Sequence, residues 1–91
     1  MRFNFTNMRA FLKARDANPE KYARFDISPG GAIGVLHVSR QRISQMISTP
    51  ALDAAVMGDG YVLIDYAMVL AYRRKQLKAA ANVVDRVKRT A

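Results

Sequence analysis

The sequence has no cysteine, which excludes a disulfide framework, a cysteine-based zinc finger and a thiol nucleophile. It has a single histidine, His37, so a metal site built from histidine ligands is excluded as well, and no cofactor is expected. No uninterrupted apolar run approaches the roughly 20 residues that a membrane-spanning helix needs. Arg9, Lys13 and Arg15 interrupt what would be the apolar stretch of a secretion signal, so none is expected. Internal repeats are missing, and the only low-complexity patch is Ala79-Ala80-Ala81. Paired carboxylates, a nucleophile–base pair and a phosphate-cradling glycine loop are absent at any working spacing, so the chain is not expected to be an enzyme. These absences point to a cytoplasmic protein of bacterial or phage style, associated with the nucleoid.

Acidic residues are also scarce. Fifteen Lys and Arg stand against seven Asp and Glu, a net charge of +8 on 91 residues. A cation of this density seeks polyanions, of which nucleic acid is the commonest. The excess is uneven: residues 61–91 carry seven basic and two acidic groups, while residues 39–60 carry two of each. The length suits one compact domain with a thin core. The 51% hydrophobic content excludes disorder as the default.

Thr6 can cap a helix over residues 6–15, with Met8, Phe11 and Leu12 at helical spacing. Asn18-Pro19 and Ser28-Pro29 each place a cap before a proline at the first helical position. They predict a short helix from Glu20 to Arg24, a brief extended link over Phe25–Ile27, and a two-turn helix to Leu36. Gly30, Gly31 and Gly34 weaken that helix by about 0.5–1 kcal/mol each, so packing must hold it. Phe3, Phe5, Phe11 and Tyr22 read as core. His37-Val38 is a turn, after which Ser39 caps a helix ending near Ile47 or Ser48. Leu52–Met57 and Tyr61–Ile64, joined by Gly58-Asp59-Gly60, predict a two-stranded hairpin. Asp65 caps the last and longest helix, in which Leu70, Leu77, Ala81 and Val84 form a heptad-like stripe. That stripe is either a packing face for residues 1–24 or the seam of a homodimer through the C-terminal helix.

The helix that starts at Ser39 has the chemistry of a base reader. Ile43 and Ile47 face one side, and Arg40, Gln41, Ser44 and Gln45 face the other with no acidic group among them. Arginine pairs with guanine O6 and N7, and glutamine with adenine N6 and N7, in a major groove about 12 Å wide. Arg40, Gln41 and Gln45 are therefore the candidate base-reading residues. Ser39, Arg42, Ser44, Arg73, Arg74 and Lys75 suit phosphate contacts, which set register without reading sequence.

Residues Ser28 through Ile47, with the core Val38-Ser39-Arg40-Gln41-Arg42-Ile43-Ser44-Gln45, resemble the helix-turn-helix of excisionase-like and MerR-type winged-helix proteins. Gly58-Asp59-Gly60-Tyr61-Val62-Leu63-Ile64-Asp65 is similar to their wing, and Val69-Leu70-Ala71-Tyr72-Arg73 to the start of their closing helix. The turn has His37 where the family usually has glycine, and the wing tip has Asp59 where a phosphate-gripping tip would carry Arg or Lys. The resemblance implies a mainly α fold: a winged helix-turn-helix with a small two-stranded wing tipped by Gly58, Asp59, Gly60 and Tyr61, and a long C-terminal helix. Residues 1–26 would be a helical extension, 27–74 the winged helix-turn-helix and 75–91 a basic helical extension, all in one compact domain. The implied function is sequence-specific binding of double-stranded DNA, as a transcriptional regulator or an excisionase-like architectural factor. The alternative is a protein-interaction module, or an RNA binder, on the same fold.

Overall fold

A computed structural model describes the backbone of residues 1–90 and the side chains of residues 1–82. The elements run β1 (Arg2–Phe5), α1 (Met8–Ala17), α2 (Pro19–Tyr22), β2 (Phe25–Ile27), α3 (Pro29–Leu36), α4 (Arg40–Ser48), β3 (Ala54–Met57), β4 (Val62–Asp65) and α5 (Tyr66–Thr90). The capping chemistry is largely where the residue types put it. Ser28 Oγ accepts from the Gly31 N–H at 3.1 Å, Ser39 Oγ from Arg42 N–H at 3.1 Å, and Asp65 Oδ1 from Met68 N–H at 3.2 Å. At α1 the cap is Asn7, not Thr6: its side chain accepts from Ala10 N–H at 2.8 Å.

The expected mainly α winged helix-turn-helix is overturned, for the fold is α/β. Its hairpin is not a free wing but the middle of a four-stranded mixed sheet of order β1-β3-β4-β2. β1 lies parallel to β3, with Arg2 opposite Ala54 and Phe5 opposite Met57. On the far side β2 pairs antiparallel with β4, with Phe25 opposite Asp65. Residues 1–26, expected to be helical, thus supply β1 and most of β2, and the extended link at Phe25–Ile27 is the second edge strand.

The reason is legible in the hairpin itself. A wing with one wet face would alternate apolar and polar residues. Here both faces are apolar: Ala54 and Ile64 are fully buried on one, Ala55 and Met57 on the other. Strands of that kind need covering on both sides. α1 and α2 cover the Ala55–Met57 face through Phe11, Met8 and Tyr22, which join Phe3, Phe5, Phe25, Ala55, Met57 and Leu63. The rings in this layer meet edge-on, Phe5 and Phe11 at 5.3 Å and Phe5 and Tyr22 at 5.4 Å between centroids. Such pairs add about 0.5–1.5 kcal/mol each beyond the area they bury. α3, α4 and the first turns of α5 cover the other face through Ala32, Leu36, Ile43, Met46 and Val69. Leu70, Leu77 and Ala81 of the α5 stripe therefore lie across the sheet from α1 and α2, and Val84 lies outside the residues whose side chains are described.

A charged cluster pins β2, β3 and β4 together at one end. Arg24 donates from Nη1 to Asp53 Oδ2 at 2.9 Å and to Asp65 Oδ2 at 2.8 Å, and the terminal ammonium of Met1 pairs with Asp53. Its guanidinium also lies 4.6 Å from the centre of the Phe25 ring. Burial by itself would raise the Asp53 carboxyl, but hydrogen bonds from the terminal ammonium and Arg24, and their positive charges, hold it below the usual range. Burial likewise opposes the charge of Arg24, and its two carboxylate partners outweigh that and raise its pKa.

A carboxyl with a depressed folded value stabilises the fold above the unfolded value, about 3.9, and loses that contribution as pH falls through the folded one. Urea midpoints are accordingly expected to stay level from neutral pH down to about 5 and to drop below about 4. Asp53→Asn should lower the neutral midpoint and shrink the acid-dependent drop. An acid limb identical in the variant would refute this role for Asp53.

Candidate nucleic-acid interface

α3 and α4 form a helix-turn-helix pair joined by His37, Val38 and Ser39. His37 takes the left-handed conformation, φ 55° and ψ 45°, which glycine adopts most readily. A non-glycine residue there costs about 1–2 kcal/mol. The His37 N–H closes α3 on the Ile33 carbonyl at 2.8 Å, and Leu36 and Ile43, on either side of the turn, are both buried to 1% exposure. Packing across the turn thus holds a conformation that histidine by itself disfavours.

On α4 the inward side consists of Ile43, Met46 and half-buried Ile47. Met46 is fully buried. The outward side consists of Arg40, Gln41, Arg42, Ser44, Gln45 and Ser48, every one exposed. At 3.6 residues per turn, Gln41, Gln45 and Ser48 point most directly away from the core, with Arg40 and Ser44 on one flank and Arg42 on the other. Arg42 Nη2 reaches Tyr72 Oη on α5 at 3.4 Å. Ser39 serves as the α4 cap, and its own O–H proton is left to donate.

The flank with Arg40 and Ser44 borders an open groove of about 580 Å³. Ser28, Pro29 and Gly30 at the start of α3 form one wall, Gly60, Tyr61 and Val62 the other, and Ile43 and Ile47 the floor. A shallower trough continues it past Ser44, Ile47 and Ser48 over Val56 to Arg2 on the edge strand. Arg2 and Ser48 were absent from the sequence-based set. Ser48 follows from extending the helix by one residue. Arg2 could have been found only by recognising Arg2-Phe3-Asn4-Phe5 as an alternating strand, and nothing in the sequence pairs it with β3.

The acids that balance the charge of residues 39–60 are engaged elsewhere. Asp53 holds Arg24 and the chain terminus, and Asp59 Oδ2 accepts from the Met8 N–H at the start of α1 at 3.1 Å. Among the described residues, no carboxylate pairs with Arg40 or Arg42. The expected wing tip is correspondingly anchored rather than projecting. Gly58 donates its N–H to the Phe5 carbonyl at 2.8 Å, and Gly60 takes a positive φ of 99°. Tyr61, 58% exposed, stands beside the groove.

On α5, Arg74 and Lys75 are exposed, while Arg73 is half-buried and donates to Gln76 Oε1 at 3.2 Å. Lys75 follows Tyr72 by one turn, so it extends the Arg42 flank of α4. No three His, Asp or Glu side chains stand close enough among the described residues to hold a metal. No described helix is long and apolar enough to cross a membrane.

No protein-family model matches the chain, and no curated protein or solved structure is significantly similar to it.

The anchored hairpin tip has a direct test. A Cβ on Gly58 would stand 2.6 Å from the Thr6 carbonyl oxygen, a backbone atom that cannot step aside cheaply. Gly58→Ala is expected to destabilise the protein by about 1–3 kcal/mol in chemical denaturation. Gly60→Ala should also destabilise, through backbone strain at its positive φ, by about 1 kcal/mol. A neutral Gly58→Ala would mean that the tip is not docked on the β1–α1 connection.

Proposed function

We propose that the protein binds double-stranded DNA in a sequence-dependent way, with α4 in the major groove, as a transcriptional regulator or an architectural factor of the excisionase type. The observation that carries this reading is the outward face of α4. Six polar or cationic side chains are exposed on one short helix, and the nearby acids Asp53 and Asp59 are bonded elsewhere. A nine-residue helix is about 13 Å long, which suits a groove about 12 Å wide.

In this reading Gln41, Gln45 and Arg40 meet base edges, with Ser48 at the far end of the same face. The two flanks of α4 serve the two phosphate strands that border the groove. Arg2, Ser44 and Tyr61 lie on one side. Ser39, Arg42, Arg74 and Lys75 serve the other, with Arg73 tied to Gln76. The net charge of +8 supplies most of the affinity through counterion release, and the α4 face supplies the preference among sequences. The setting that fits is the cytoplasm of a bacterial or phage-infected cell.

Selection from a randomised duplex pool is expected to enrich one motif. Against that motif, Arg40→Ala and Gln45→Ala should each cost about 1–3 kcal/mol and leave random-duplex binding nearly unchanged. Lys75→Ala should weaken both alike and flatten the salt dependence by about one unit of slope. A pool that yields no motif would overturn the reading in favour of a protein- or RNA-binding module, and equal losses on both duplexes for Gln45→Ala would remove it from the base-reading set.

A further inference from the structure

We propose that the channel beside α4 seats an unpaired strand of DNA, which makes a duplex with a single-stranded extension a better substrate than a blunt one. The inference deepens the reading of α4 as a duplex binder and rests on it for the paired part of the substrate. The channel is the open groove of about 580 Å³ at Arg40 together with the trough that continues it to Arg2. Ser44, Ile47 and Val62 line both parts, so the two form one path along the flank of α4. The groove has the scale of a small-ligand site, about 300–1,000 Å³. That suits a short run of one strand, not a double helix.

Single strands are held by cations that track the phosphates and by aromatic side chains on which bases stack. The residues that line the channel include two arginines, Arg2 and Arg40, and no Asp or Glu. Among the described residues neither arginine has a carboxylate partner, and the carboxylate of Asp59, beside Gly60, is bonded to the Met8 N–H. The arginines stand at separate points on the path, one in the groove and one on the edge strand. A ligand with a single charge engages one of them, whereas a strand has a phosphate at every nucleotide and engages both. Ser28 Oγ accepts from the Gly31 N–H, so its own proton is left to donate to a phosphate at the groove wall.

Stacking selects the unpaired form. Tyr61 on one wall is 58% exposed, and Pro29 stands on the other, with Ile43 and Ile47 as the floor between them. In an intact duplex each base is covered on both faces by its neighbours, so none is open to a ring on the protein. An unpaired base offers that face, and its stacking tolerates any sequence. Both walls also carry a glycine. A Cβ on Gly30 would come no nearer than 3.9 Å to Ser28 Oγ, and one on Gly60 would meet nothing within 4 Å. The channel is open there to a flat ring. An acidic peptide also matches the arginines, but a nucleotide strand brings an anion and a flat ring together in every unit.

Anisotropy titrations of three labelled DNAs test the proposal. They are the duplex motif enriched from the random pool with blunt ends, the same duplex with an oligo(dT) extension on either strand, and oligo(dT) by itself. An extension on one of the strands is expected to tighten binding about tenfold, the scale of one stacked base. This gain, the ratio of blunt to extended Kd, should fall to about one in Tyr61→Ala and persist in Tyr61→Phe, which keeps the ring. Gly30→Glu should lower the gain more than Gly30→Gln, which has the same size without the charge. No gain on either strand, or a gain that survives Tyr61→Ala, would overturn the proposal and leave the duplex reading standing. A blunt motif that fails to bind, with oligo(dT) binding that depends on Tyr61, would overturn the duplex reading and uphold the channel. A polyglutamate peptide that displaces the extension at a lower concentration than oligo(dT) would overturn the proposal in favour of a protein partner. Should the pool yield no motif, oligo(dT) binding by the wild type and Tyr61→Ala still decides.

Discussion

The architecture depends on one constraint: β3 and β4 are apolar on both faces. A hairpin of this kind cannot stand in water on either side, and it cannot end a sheet without leaving its backbone edges unpaired. β1 and β2 complete the edges, and the helices complete the faces. α3 and α4 are thereby pressed against Ala54 and Ile64 from one side, while the aromatic layer of Phe3, Phe5, Phe11, Tyr22 and Phe25 seals the other. The orientation of the candidate reading helix is a by-product of that closure. Once Ile43 and Met46 are committed to the sheet, Gln41 and Gln45 have no direction left but outward.

Electrostatics follow the same division. Three of the seven acids hold the fold, Asp53 and Asp65 in the cluster with Arg24 and Asp59 on the Met8 N–H at the start of α1. Among the described residues no carboxylate pairs with Arg40 or Arg42. A sum over residues 39–60 makes that segment neutral, yet its two arginines stand apart from its acids, because Asp53 is bonded to Arg24 and Asp59 to the Met8 N–H.

Much of the local structure was legible from residue types alone. Ser28-Pro29 and Ser39 act through bonds that span three residues, so they state the starts of α3 and α4 without reference to the rest of the chain. Ile43 and Ile47 likewise give the buried side of α4. His37 looked like a poor turn residue, and the left-handed turn forms there nonetheless, with Leu36 and Ile43 packed on either side of it. The hairpin was correctly placed but wrongly read, since its strands were matched to a wing rather than examined for apolar residues on both faces. Arg2 escaped notice because its position beside α4 depends on a parallel pairing across about 50 residues of chain, and no local signal specifies such a partner.

By itself, then, the sequence determined the caps of α3, α4 and α5, the turn, the hairpin and the polarity of α4, since each rests on neighbours within four residues or on the period of one element. Tertiary structure alone decided that β1 and β2 extend the hairpin into a sheet, that the tip is tied to the start of α1, that Tyr61 borders the groove beside Arg40, and that Arg2 borders the adjoining trough. Those outcomes turn on burying two apolar faces at once, a requirement that belongs to the assembled layers and to no single segment.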